Sequence, residues 1–229
     1  MGLVQSSGKK QQDNMPSGSV TFNAASNFTA GNTVIITVAN FTSAGITGIT
    51  VSGTAAVLDA TRTDAGGQNR TQIWRASNVA GGSSAVVISA ATGNYITCGF
   101  DEWDDIVLSS PLDQTGSTGD TTSASPSATT SGATTQANEL VYAVFTDYAG
   151  GSWTSATPPS GYTESWEEPD GSAHSGGSAA YRVISSTGVQ TATFTTGASL
   201  GWISAIATYK LAGGGGGGGG SAVVVGTWW

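Results

Sequence analysis

The apolar residues of this chain come in short β-branched runs, each closed off by Gly, Asn or Ser, and that punctuation favours strands over helices. Residues 20–22, 33–38, 46–51, 56–58, 71–75, 85–88 and 95–100 read as strands, with turn signals such as Ala80-Gly81-Gly82 and Thr92-Gly93-Asn94 between them. Residues 139–145, 162–166, 179–184, 191–194 and 202–211 continue the pattern. No segment carries a helical period with caps. The expectation is an all-β fold, an antiparallel two-sheet β-sandwich of jelly-roll or immunoglobulin-like kind.

Spacing suggests that the sandwich is built from two internally duplicated halves. Trp74-Arg75-Ala76 is followed by Val87 and Tyr95, and Tyr181-Arg182-Val183 is followed at the same intervals by Phe194 and Trp202. Upstream, the run from Asn32 matches the run from Asn138, which gives an offset of roughly 107 residues. The segments are then a polar N-terminal arm (1–17), a first β half (18–108), a Ser/Thr/Gly-rich connector (109–137), a second β half (138–212), and a glycine tether with an apolar tail (213–229). The arm lacks periodicity and reads as unpacked. The connector either links the halves or lays residues 121–131 along a sheet as an edge strand.

Charge narrows the function. Only 10% of residues are charged, the net charge is −8, and the seven basic residues are scattered. A nucleic-acid binder needs a basic stripe and a lipid-docking surface a basic cluster, so neither partner is expected. No apolar run approaches the ~20 residues of a membrane helix. The start, from Met1 to Lys10, has no apolar region of the export type, although Met1-Gly2-x-x-x-Ser6 matches a myristoylation pattern at Gly2. A surface-type composition without an export signal suggests assembly in a host cytoplasm and later exposure on a particle. Cys98 has no partner for a disulfide within the chain and reads as a core residue.

Little in the sequence carries chemistry. His174 lies in a Gly/Ser loop, without the nucleophile elbow or orienting acid of a hydrolase. One His and one Cys do not make a zinc site, and the octaglycine has no P-loop lysine, so no enzyme, cofactor or metal is expected. Two acidic clusters, Asp101-Glu102-Trp103-Asp104-Asp105 and 164–170, read first as solvated turn acids at related places in the two halves. Paired acids beside Trp also suit glycoside hydrolysis or calcium. Trp74, Tyr95, Tyr181 and Trp202 read as core, whereas Trp153 and Trp166, flanked by Gly, Ser and Pro, are candidates for exposed rings that stack on a host surface glycan. After Gly213 to Gly220, the tail bears Val223, Val224, Val225, Trp228 and Trp229, which suit strand addition and aromatic anchoring on a neighbouring subunit.

Residues 18–211 resemble uncharacterised bacterial and phage β-sandwich modules. The resemblance is carried by Pro111-Leu112-Asp113, Ala137-Asn138-Glu139-Leu140-Val141, Pro158-Pro159-Ser160-Gly161-Tyr162-Thr163 and the closing Trp202-Ile203-Ser204-Ala205-Ile206-Ala207-Thr208-Tyr209-Lys210. Such modules occur in phage minor tail, fibre and virion surface proteins, and the resemblance implies a structural or binding role with no active-site residue. The expected function is therefore that of a non-enzymatic virion structural protein of a bacteriophage, in a tail, fibre or head-surface position. It would assemble through its termini with other virion subunits, including copies of itself. The alternative is a carbohydrate-binding or adhesion module on a particle or cell surface.

Overall fold

A strand covered on both faces must be apolar at nearly every position, and the longest apolar runs of this chain take that place. The computed structural model describes residues 2–42, 45–150, 153–169 and 176–213, all of them in strands or connections between strands. The first half contains β1 (Leu3–Ser6), β2 (Lys10–Gln12), β3 (Ser19–Asn23), β4 (Thr33–Phe41), β5 (Ile46–Val51), β6 (Thr54–Ala55), β7 (Val57–Thr63), β8 (Asn69–Ala76), β9 (Ala85–Ala90) and β10 (Tyr95–Trp103). The second contains β11 (Leu112–Ser123), β12 (Ser127–Ala133), β13 (Asn138–Gly150), β14 (Thr163–Glu168), β15 (Gly177–Ser185), β16 (Val189–Thr193) and β17 (Leu200–Lys210).

These strands form four antiparallel sheets rather than two. The first half pairs an outer sheet, β3-β9-β5-β6, with an inner sheet, β1-β10-β4-β8-β7, to which β2 also adds at β10. The second half pairs the inner sheet β11-β17-β13-β15-β14 with a two-stranded outer sheet, β12-β16. Three apolar cores separate the four layers. Val34, Ile36, Val38, Trp74 and Phe100 meet Phe22, Ile49 and Ile88 in the first half. Val141, Phe145, Trp202 and Ile206 meet Ala128 and Ala192 in the second. Between the inner sheets, Ile35, Ile73 and Trp103 meet Leu140, Tyr142, Val144 and Tyr209. This third core explains the sequence pattern: β4 and β17 are buried at almost every position, whereas β16 alternates between buried and exposed residues. The inner strands face apolar layers on both sides, and the outer ones face water on one.

The two inner sheets run in the same order when β1, β4, β7, β8 and β10 are set against β11, β13, β14, β15 and β17. The sequence landmarks fall on or beside strands of matching place, yet one residue out of phase. Trp74 faces the first core, while Tyr181 packs against the core between the halves. Likewise Trp202 is in the second-half core, whereas Tyr95 is only half buried and packs beside Phe41. Side chains alternate along a strand, so a slip of one residue reverses every face.

Of the two polar segments, the first departs from the expectation and the second takes one of its two open readings, the edge strand. Residues 2–17 are packed: β1 and β2 ladder onto β10, and Met15 is buried. Backbone pairing holds them, which needs no apolar side chains. The connector 109–137 is mostly strand, with β11 on the edge of the second inner sheet and β12 in the outer one. Its hydroxyls suit the place, since Ser127 and Thr129 hydrogen-bond Thr193 and Thr191 across the outer pair at 2.9 and 3.0 Å.

Candidate functional site

The two tryptophans expected to be exposed are both 2% exposed. Trp153 packs against Phe145, with ring centroids 5.5 Å apart, and its Nε1 donates to Asp147 Oδ2 at 2.6 Å. Trp166 lies between the inner sheets and donates from Nε1 to Thr37 Oγ1 at 2.7 Å. Neither ring offers a face on which a sugar could stack. Both rings point inward; Trp166 lies within β14, where a bulge also turns Ser165 in. What remains open beside Trp153 is a groove of about 340 Å³ lined chiefly by Thr154, Ser155, Thr157, Thr195 and Thr196.

The first acidic cluster is not a solvated turn. Asp101 and Glu102 lie within β10 and are 1% and 0% exposed. Asp101 Oδ2 accepts hydrogen bonds from Tyr142 Oη at 2.8 Å and Ser165 Oγ at 2.7 Å, and Tyr142 Oη accepts in turn from Trp103 Nε1 at 2.8 Å. Burial pushes the Asp101 carboxyl up from its ordinary value, with the hydroxyl donors acting against it. Glu102 accepts from Thr29 N, Asn32 Nδ2 and Gln5 Nε2 at 2.7, 2.8 and 2.6 Å, which ties the N-terminal segment to the sheet. Of the second cluster, Glu164, Glu167 and Glu168 lie on β14, whose place in its sheet matches β7 rather than β10, and Asp170 is outside the described residues. Among the described residues no three His, Cys, Asp or Glu side chains are grouped to hold a metal ion. Cys98 is buried, and that burial pushes its thiol up.

A polar cluster that the sequence reading passed over lies at the end of the second inner sheet. Glu139 on β13 stands directly opposite Lys210 on β17. On the other side of β17, the β11 ladder is broken by a bulge between Leu112 and Thr115, and Asp113 occupies it. The bulge frees Asp113 from the ladder, and its Oδ1 lies 3.3 Å from Lys210 Nζ. Thr135 donates to the same carboxylate twice, N to Oδ2 and Oγ1 to Oδ1, both at 2.6 Å.

Glu139 is 0% exposed, and neither of its oxygens reaches a hydrogen-bond partner at conventional distance. Burial, reinforced by the neighbouring Asp113 charge and opposed by the Thr208 hydroxyl, pushes its carboxyl up to about 7. Burial also disfavours the charge on Asp113, but Thr135, Glu139 and Lys210 outweigh it and hold that carboxyl below its ordinary value. The arrangement is an acid that holds its proton up to about pH 7, a carboxylate and an ammonium gathered on three neighbouring strands. The available signal in sequence was a lone acid opening one apolar run, Glu139, and a lone base closing another, Lys210.

The docking residues Val223, Val224, Val225, Trp228 and Trp229, and His174, lie outside the described residues. No protein-family model, curated protein or solved structure matches this chain.

Proposed function

We propose that this chain is a non-enzymatic structural subunit of an assembled particle, of the kind found in bacteriophage tails, fibres and head surfaces, joined to its neighbours through its C-terminal segment. The reading takes the chain as a duplicated β-sandwich unit whose halves stack back to back. The observation that carries it is the open edge of the first inner sheet. There, among the described residues, β7 pairs only with β8 and exposes two adjacent apolar side chains, Val57 at 55% and Leu58 at 38%. An unpaired apolar edge is a template for an added strand, and the Val223-Val224-Val225 run has the β propensity to supply one. β14, the matching edge of the second half, carries Glu164, Glu167 and Glu168, which discourage such pairing. Deleting residues 213–229 tests the reading by sedimentation: the full chain forms higher-order species and the shortened chain stays monomeric. Equal assembly by both chains overturns it.

A second reading, glycan binding, attaches to the hydroxyl-lined groove beside Trp153. It would rest on hydrogen bonds rather than ring stacking. Loss of glycan-array binding on Thr154→Ala and Thr195→Ala, with assembly unchanged, would favour it.

A further inference from the structure

We propose that Lys210 and Asp113 condense into an intramolecular amide that staples β11 to β17, with Glu139 carrying the protons. This goes beyond the structural reading above and stands without it.

The geometry supplies each part of the reaction. Lys210 Nζ is held 3.3 Å from Asp113 Oδ1, one bond away from the carboxyl carbon it must reach. Asp113 is 3% exposed at its side chain, so water competes poorly for that carbon. Thr135 N–H points at Oδ2, where negative charge develops when the carbon becomes tetrahedral. Glu139 is buried opposite Lys210 and beside Asp113, and burial raises its carboxyl to about 7, so that it can both give and take a proton at neutral pH.

The steps balance without an oxidant or a second reactant. Glu139 gives its proton to the Asp113 carboxylate and then takes one from the Lys210 ammonium, leaving a neutral acid beside a neutral amine. The Nζ lone pair attacks Asp113 Cγ and forms the C–N bond. Glu139 then protonates the departing oxygen and removes a proton from nitrogen. The C–O bond breaks, water leaves, and Glu139 ends protonated as it began. Lys210 keeps 27% of its side-chain exposure, which opens a route for that water.

The location gives the bond a purpose. β11 and β17 are the first and last strands of the second half, and the glycine run begins at Gly213, three residues past Lys210. Tension on the tail therefore reaches β17 at Lys210 once the Leu211 and Ala212 backbone bonds give way. The only cysteine is Cys98, buried in the other half, so a disulfide is not available to hold this strand.

Intact-mass measurement of the full chain, followed by trypsin digestion, tests the proposal. The expected mass is about 18 Da below that of the sequence, the loss of one water. Trypsin cuts after Arg182 but should leave residues 76–182 joined to residues 183–229. Lys210→Arg, which keeps the charge at a partly exposed site, should show the full mass and separable fragments. Glu139→Gln should slow bond formation by at least about tenfold. The proposal is overturned if the wild-type chain, held for days at neutral pH, keeps its full mass and its fragments separate. It is equally overturned if the missing water persists in Lys210→Arg. Bond formation at an unchanged rate in Glu139→Gln would remove Glu139 from the reaction.

Discussion

Trp166 lies so close to the backbone of Gly99 that a β-carbon on Gly99 would stand 2.2 Å from its Cδ1. The contact crosses from the second inner sheet to the first. Gly99 and Thr37 are direct partners in the β10–β4 ladder, and the indole donates its N–H to Thr37. One ring is thus seated on one pair of residues, with a glycine to admit it and a hydroxyl to hold it.

Gly99→Ala should therefore be destabilising, because neither the ladder nor the buried ring can retreat freely. Overpacking of this kind costs about 1–3 kcal/mol. Urea unfolding should show a lowered midpoint, and combining the change with Trp166→Phe should cost less than the sum of the two. Strict additivity would mean that the ring and the glycine do not constrain each other.

The strand positions were legible because their signals are local: β-branched runs and Gly/Asn punctuation put nearly every expected strand in place. The stacking of the halves was not legible. Ile35 and Ile36 look alike in sequence, yet one faces the core between the halves and the other the first core. Pairing Trp74 with Tyr181 matched aromatic character, whereas face is set by strand phase, and one residue separates the two. The connector left two readings open because Ser, Thr and Gly signal loops on average; opposite Thr191 and Thr193 they form a ladder instead. Lys210 and Glu139 were passed over because nothing in a single sequence shows which strands become neighbours.

Asp101 should make stability depend on pH in a particular direction. Burial favours its neutral form, so the folded chain keeps a proton that the unfolded chain releases above the ordinary value of 3.8. The stability this group contributes is full below that value and is lost as pH rises through the raised folded value. Asp101→Asn retains an acceptor for the Tyr142 and Ser165 hydroxyls and does not titrate. The variant should gain on the wild type as pH rises from about 4 towards neutrality. Unfolding free energies that stay parallel across that range would contradict the assignment.

Trp153→Ala should act through stability rather than through a ligand. The ring is buried against Phe145, and its removal leaves Asp147 without the indole donor. Large-to-small changes of this size cost about 3–5 kcal/mol. A fall in melting temperature should accompany any functional loss, and a variant with unaltered thermal unfolding would restore the case for an exposed ring.

The β7 edge makes the last prediction, because it separates assembly from folding. Val57 is more than half exposed, so replacing it by Lys removes little buried apolar area and should change stability by less than about 0.5 kcal/mol, while Leu58, at 38%, should cost somewhat more. A lysine at an open edge nevertheless opposes the approach of an apolar strand, because the ammonium would have to be desolvated or displaced. Val57→Lys and Leu58→Lys should therefore reproduce the loss of higher-order species caused by deleting residues 213–229, with the Val57→Lys urea midpoint close to the wild type. Sedimentation and unfolding on the same samples give both readouts. Assembly that survives in both variants but fails on tail deletion would keep the tail as the joining element and move its acceptor away from β7.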